Sequence, residues 1–352
     1  MSNALFRRFP ELAALVPWIP LGRFPARIDT LDVERPGGGA RTVLVMREDL
    51  CAEPYGGNKI RKLEFLLAEA KRRSATRLIT VGAAGSHHAL ATTVHGRALG
   101  FDVTLVLFPQ PLTPHVREVL LMDHALGARI LWARRMELVP LTLLRARLAA
   151  RADRAFIVAA GGSDAIGTLG WVSAGLELAE SLQRIGRTGT DRPQCIHVAA
   201  GTLGTAAGLA LGLAIAECDI PIAATRITSR LITNDRALSG LVHGAAAILA
   251  RTGYTAPVER ALAMAQIRQG QIGRGYGRGT PASGFALDSF AAAGLRLDDT
   301  YTAKAAAELL AGTDDPVLFV HTLSTAEPTD RIGEGGKLAE PVAAYLAQVP
   351  HR

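Results

Sequence analysis

Short apolar runs rich in β-branched residues alternate with helical stretches along most of this chain, and that alternation limits what it can fold into. From about Lys59 onward the order is helix, strand, helix, strand. Arg77-Leu78-Ile79-Thr80-Val81 stops at Gly82 and leads through a Gly/Ala loop into a helix over about 86–99. Residues 103–108 read as the next strand, and Thr113-Pro114 as an N-cap with proline in the first helical turn. Residues 128–131 and 155–158 read as further strands, with a helical stretch between. After Gly161-Gly162 a second set begins. It runs through a helix over 169–182, a strand over 195–198, a long apolar helix, a strand over 222–228, helices between 231 and 251, and a late strand over 317–320. Short strands alternating with helices predict parallel sheets covered on both faces. Two α/β units, one inserted in the other, fit this order, with ligands beyond the carboxyl ends of the strands.

Composition narrows the function. The 352 residues are 49% hydrophobic and 20% charged, which suits a sizeable core and not a disordered chain. The net charge of +7 is spread as scattered arginines, with no basic run interleaved with aromatics, so nucleic-acid binding has no support. It suits solubility or attraction of anionic substrates. Residues 198–216 contain no charge, and Gly204, Gly208 and Gly212 repeat a GxxxG pattern. A Gly/Thr-rich loop and a strand-like Cys195-Ile196-His197-Val198 precede the helix, so a buried helix is expected and no membrane association. Cys51, Cys195 and Cys218 are far apart and lack metal spacing, and the N-terminus lacks the apolar core of a signal peptide. A reduced cytoplasm is the expected compartment.

Five loops carry candidate chemistry. Gly56-Gly57-Asn58-Lys59 precedes a helix, and its glycines admit unusual backbone angles and close ligand approach. A lysine opening a helix sits in partial positive charge, which lowers its pKa, and an uncharged amine attacks carbonyls. The plain alternative is a solvated lysine. Gly82-Ala83-Ala84-Gly85-Ser86-His87-His88 offers backbone amides and the Ser86 hydroxyl to a carboxylate, or Ser86 is only an N-cap. His87 and His88 diverge on a helix, which disfavours a shared metal. Gly201-Thr202-Leu203-Gly204-Thr205 reads as a phosphate cup or as a tight turn; it is neither a Walker loop nor a dinucleotide fingerprint. Tyr276, between Gly275 and Gly277, is expected at an exposed loop tip as a proton donor or anchor. In the run from Asp298 to Lys304, Tyr301 can meet substrate and Thr302 a ring nitrogen. The alternative there is a helix entry capped by Asp or Thr.

In this order the segments resemble one family, the pyridoxal phosphate (PLP)-dependent enzymes of the D-cysteine desulfhydrase and 1-aminocyclopropane-1-carboxylate deaminase group. Arg47-Glu48-Asp49-Leu50 followed by Gly56-Gly57-Asn58-Lys59-Ile60-Arg61-Lys62-Leu63-Glu64-Phe65 is similar to the family's lysine segment. Gly161 to Gly167 is similar to its GGSNPLG stretch, and Tyr301-Thr302-Ala303-Lys304 to its Y-T/E-G-K segment. The resemblance runs from about Pro17 to about Thr322. It implies an α/β, tryptophan synthase β-like fold (PLP fold type II), with two parallel-sheet domains and PLP between them. The large PLP-binding domain would be 1–55 plus 162–352, and the small inserted domain 56–161.

The resemblance further implies that Lys59 carries PLP as a Schiff base and that Gly201, Thr202, Leu203, Gly204 and Thr205 bind its phosphate. Asn58, His87, Thr302 and Thr322 would complete the cofactor site. Ser86 would meet the substrate carboxylate or join in proton transfer, and Tyr276 and Tyr301 would flank the substrate. Thr302 and Thr322 stand where the deaminases carry Glu and Leu, which points to the desulfhydrase side. The implied reaction is elimination of a β-substituent from a small amino acid, giving a keto acid and ammonia, with freed Lys59 as base. Another PLP reaction (1-aminocyclopropane-1-carboxylate deamination or β-replacement) and a cofactor-binding homologue without turnover are the alternatives. His87 replaces an Asn that hydrogen-bonds the PLP 3′-oxygen, Leu323-Ser324 replace a double glycine, and Ala303 replaces a Gly; these changes bear on substrate identity. No metal is expected, and a homodimer is the family-level expectation.

Overall fold

The computed structural model describes residues 3–186, 192–324 and 337–348. Ten strands form two sheets. The first has six strands in the order β1-β2-β10-β7-β8-β9: β1 (Ile28–Glu34), β2 (Ala40–Arg47), β7 (Cys195–Ala200), β8 (Ile222–Arg226), β9 (Ala265–Arg268) and β10 (Val317–His321). The second has four in the order β5-β4-β3-β6: β3 (Arg77–Ala83), β4 (Asp102–Phe108), β5 (Arg129–Trp132) and β6 (Ala155–Ile157). Every pairing is parallel except β1 with β2. That antiparallel hairpin is an addition to the expected pattern. Its signal is Gly37-Gly38-Gly39, all at positive φ, which lets the chain reverse tightly between two strands.

Central strands β7, β8 and β10 are buried along their whole length, as helices on both faces require. The uncharged stretch is the buried helix Gly204–Ile215. Its GxxxG spacing serves a helix contact inside the core. A Cβ at Gly208 would lie 2.5 Å from the Thr168 carbonyl on the helix Ala165–Gly186, so only glycine lets the two backbones approach. Among the described residues no helix is long and apolar enough to cross a membrane.

The helix Lys59–Arg72 joins the two layers. Phe65 packs in the core of the six-stranded sheet, while Ile60, Leu63, Leu66 and Leu67 pack with the four-stranded one. The late helix Glu340–Leu346 also rests on the four-stranded unit. Tyr345 donates to the Gln110 carbonyl at 2.8 Å, and Arg117 donates to the Leu346 carbonyl at 2.7 Å. A segment far along the chain therefore packs against the unit made of residues 56–161.

Candidate active site

The strands of both sheets end at a cavity of about 550 Å³. Lys59 reaches it as the first residue of its helix. The turn before it needs glycine: Gly57 has φ +89°, and a Cβ there would sit 3.0 Å from the Thr322 carbonyl. Three hydrogen bonds fix Asn58. Its amide N–H donates to the Thr322 carbonyl at 3.2 Å, its side chain donates to Thr205 Oγ1 at 2.9 Å, and its carbonyl accepts from Trp171 Nε1 at 2.9 Å. The Lys59 amine has no hydrogen bond or ion pair among the described residues. Burial lowers its amine to about 8, opposed by the charge of Asp298. Desolvation is thus the leading cause of the lowering, rather than the helix terminus expected from sequence.

One turn on, Lys62 points into the same cavity. It is buried, donates to the Gly161 carbonyl and to Ser163 Oγ at 3.0 Å each, and has no ion-pair carboxylate among the described residues. Burial, and then the charge of Lys59, push its pKa well down. The sequence reading passed over Lys62, although its i+3 spacing from Lys59 places both on one helix face.

Opposite stands the Gly201–Thr205 loop, with all of Gly201, Thr202, Leu203 and Thr205 on the cavity wall. Leu203 adopts a left-handed φ of 64°, and no side chain caps the buried helix that follows. Buried helix ends without partners need an anion or a cap. A Cβ at Gly204 would lie 2.6 Å from Ser163 Oγ and 2.9 Å from Lys62 Nζ. Thr202 Oγ1 lies 2.7 Å from Ser163 Oγ. An uncapped helix end, the Lys62 amine and two hydroxyls converge there, and that donor set fits a phosphate, whose charge would favour the protonated amine.

Ser86 lines the cavity and is also the N-cap of the helix His87–Ala98, accepting from the Ala89 amide at 3.2 Å. The N-cap reading of Ser86 is thus seen, and it leaves the hydroxyl proton available to donate. His88 lies on the same wall, with its Nε2 3.0 Å from Thr80 Oγ1. Both His87 ring nitrogens have partners: Nδ1 lies 2.6 Å from the Tyr55 hydroxyl and Nε2 3.0 Å from His115 Nε2. Burial, then the His115 charge, pushes the His87 pKa down to about 3, so it is neutral. It stands with Asp298 and Leu323 in the wall shared with a second cavity of about 300 Å³. Leu323 thus fills a wall, and Ser324 Oγ accepts from the Gly56 amide at 3.0 Å.

Tyr276 is half-buried and not the exposed tip expected from its glycines. Its hydroxyl lies 2.6 Å from that of Tyr301, and both rings line the cavity. Burial raises the Tyr276 phenol to about 12. The buried Lys304 holds this loop by donating to the Ile272 and Gly275 carbonyls at 3.0 and 3.2 Å. Thr302 is fully buried and does not line the cavity. Its hydroxyl donates to Asp298 Oδ1 at 2.6 Å, and Asp298 accepts from the Tyr301 and Thr302 amides at 2.7 and 2.9 Å. The capped helix entry is therefore the better account of this segment. The carboxylate facing the cavity is Asp298, a residue quoted in the sequence reading but given no site role.

All three cysteines are free and buried. Away from the cavity lining, Cys195, His197 and Asp314 bring ligand atoms within 4.8 Å of one another. Strand alternation puts Cys195 and His197 on one face, and Asp314 joins them from a distant loop, a grouping cysteine spacing does not show.

Comparison with known proteins agrees with this geometry. Residues 26–322 match the family model described as pyridoxal-phosphate dependent enzyme. The chain is 33% identical over 333 residues to nocardicin C-9′ epimerase of Nocardia uniformis subsp. tsuyamanensis, covering 90% of this chain and 96% of that protein. It is 30% identical over 331 residues to D-cysteine desulfhydrase of Salmonella newport (strain SL254), covering 90% and 94%. A solved 1-aminocyclopropane-1-carboxylate (ACC) deaminase homologue superposes with a TM-score of 0.73 at 28% identity, covering 93% of this chain and 96% of that one. A hydrogen sulfide-producing enzyme of Fusobacterium nucleatum shares the fold, with a TM-score of 0.59 at 15% identity over 97% and 95% of the two chains. The unpaired Lys59 amine and the phosphate seat fit pyridoxal phosphate. The chain belongs to the pyridoxal-phosphate-dependent enzyme family, in its ACC deaminase and D-cysteine desulfhydrase group, with a two-domain, tryptophan synthase β-like fold.

Proposed function

We propose that this protein takes the α-proton from an amino acid and expels a β-substituent, as a D-cysteine desulfhydrase-like lyase giving a keto acid and ammonia. The observation that carries the reading is the Lys59 amine: enclosed, without an ion-pair partner, held at about 8, and in one cavity with the anion seat. When bound, the cofactor supplies an electron sink for charge developing at the α-carbon. Lys59 would hold the cofactor, and its amine, when not so engaged, would accept the α-proton. Asn58, Lys62, Ser163 and the 201–205 loop seat the phosphate. Ser86 donates its hydroxyl to the substrate carboxylate, and the Tyr276–Tyr301 pair supplies a proton across the cavity. The proposal keeps a domain of 1–55 plus 162–352 and another of 56–161, and a cytoplasmic homodimer. Residues 187–191, 325–336 and 349–352 of the larger domain lie outside the described residues.

Epimerisation at the α-carbon is the second reading, supported by the likeness to the nocardicin epimerase and by a phenol pair able to return a proton. Elimination and epimerisation share the loss of the α-proton and differ in whether a leaving group departs. The test follows the α-proton by NMR in deuterated water together with sulfide and keto acid from D-cysteine. Exchange with sulfide release supports the lyase. Exchange with inversion alone supports the epimerase. Ammonia from 1-aminocyclopropane-1-carboxylate, which has no α-hydrogen, supports the deaminase. A protein that binds cofactor and exchanges nothing fits the homologue without turnover and overturns the proposal.

A further inference from the structure

The cavity has a polar floor and an apolar mouth. Asn58, Lys62, Ser86 and Thr205 on its wall are 1–7% exposed, and these are the groups that hold anions or a carboxylate. Met136 and Ile232 line the same cavity but are 43% and 37% exposed, which places them at the rim. Val139 and Pro140 beside Met136, and Phe108 and Val81 at the ends of β4 and β3, continue the apolar wall. The two rims come from different units: Met136 to Pro140 follow β5, whereas Ile232 lies in the loop after β8. An amino acid anchored by its amine and carboxylate at the floor has its side chain as the part free to reach the rim. A one- or two-carbon side chain leaves these surfaces wet, whereas an aromatic or branched group covers them.

We infer that the substrate is an amino acid whose side chain, any departing β-substituent included, is bulky and apolar, held at the mouth between the Met136–Pro140 segment and Ile232. This rests on the proposed reading that the floor holds cofactor and amino-acid headgroup. Discrimination by an apolar pocket amounts to about 10–200-fold for even a methylene-sized difference. An aromatic amino acid is therefore expected to exceed alanine and cysteine by about tenfold or more.

The test uses the holoenzyme and two readouts. Calorimetry compares α-methylphenylalanine with 2-aminoisobutyrate, neither of which has an α-proton to lose, so binding is read without turnover. NMR then compares kcat/KM for α-proton exchange of both enantiomers of phenylalanine and phenylglycine with those of alanine and cysteine. The expected result is tighter binding and faster exchange for the aromatic compounds, with the aromatic-to-alanine ratio falling about tenfold in Met136→Ser with Ile232→Ser. Both residues are exposed, so the fold tolerates the changes. Equal or tighter binding of 2-aminoisobutyrate overturns the inference and leaves the reaction assignment standing. A uniform loss for all substrates in the double variant also overturns it, because a lid closing over any substrate acts that way. Aromatic preference in binding without exchange of any substrate supports the mouth assignment while sinking the proposed reaction.

Discussion

Two faces of one helix treat buried positive charge in opposite ways. On one face Arg61 is 1% exposed and lies against Glu48 in a bidentate pair, with Glu177 at 2.8 Å. Its charge is matched by two carboxylates, which raise its pKa against the penalty of burial. On the other face Lys59 and Lys62 are enclosed without any carboxylate pair, and both pKa values are lowered. A fully paired buried cation orients a helix and has no spare reactivity. An unpaired one is unstable as an ion, which suits Lys59 to the proposed nucleophile and Lys62 to the proposed phosphate seat.

The largest expected effect comes from Lys59→Ala, which removes the reactive side of the comparison. Turnover should fall about 10²–10⁴-fold, and borohydride reduction should leave no cofactor attached to the corresponding peptide by mass spectrometry. Cofactor still trapped there would break the assignment.

Arg61→Met removes the paired side. It leaves Glu48 and Glu177 buried without their cation, which costs about 3–5 kcal/mol. Urea unfolding should show that loss. A change below about 1 kcal/mol would mean that the pair contributes little to holding the helix.

Lys62→Met should separate holding a cofactor from holding a fold. Loss of a charge-assisted hydrogen bond weakens cofactor binding by about 10–150-fold, from roughly 1.5–3 kcal/mol. Equilibrium dialysis measures it. Because Lys62 is buried without a counter-ion, stability of the cofactor-free protein should not fall.

A further effect is a pH dependence of stability. Lys59 titrates at about 8 in the folded protein against an ordinary 10.5. Between these values the unfolded chain binds more protons than the folded one, so stability rises with pH across that window. The cofactor-free protein should therefore gain stability relative to Lys59→Ala from pH 8 to about 10.5. Parallel denaturant curves for the two proteins in that range would show that Lys59 is not desolvated.

Much of this was legible in the residues. The loops and strands that frame the cavity largely follow short-range signals: β-branched runs, glycine turns, Thr-Pro and Ser caps, and a lysine at a helix start. What escaped depended on partners far along the chain. Thr302 reads as a candidate for a ring nitrogen until Asp298 is seen to occupy its hydroxyl. His87 reads as a donor until Tyr55 and His115 are seen on its two nitrogens. Tyr276 between glycines reads as exposed, because neither Tyr301 nor Lys304 is visible from its own loop.

The amino-acid order alone determined the alternating α/β architecture and singled out the candidate lysine and the candidate glycine loop for an anion, since these rest on backbone periodicity and local geometry. Tertiary structure decided which lysine is paired and which is bare, which hydroxyls are spent, and that the cavity has a polar floor under an apolar rim. Those outcomes depend on desolvation and on contacts between segments more than a hundred residues apart, such as Asn58 with Thr205 and Arg61 with Glu177, and no local pattern encodes them.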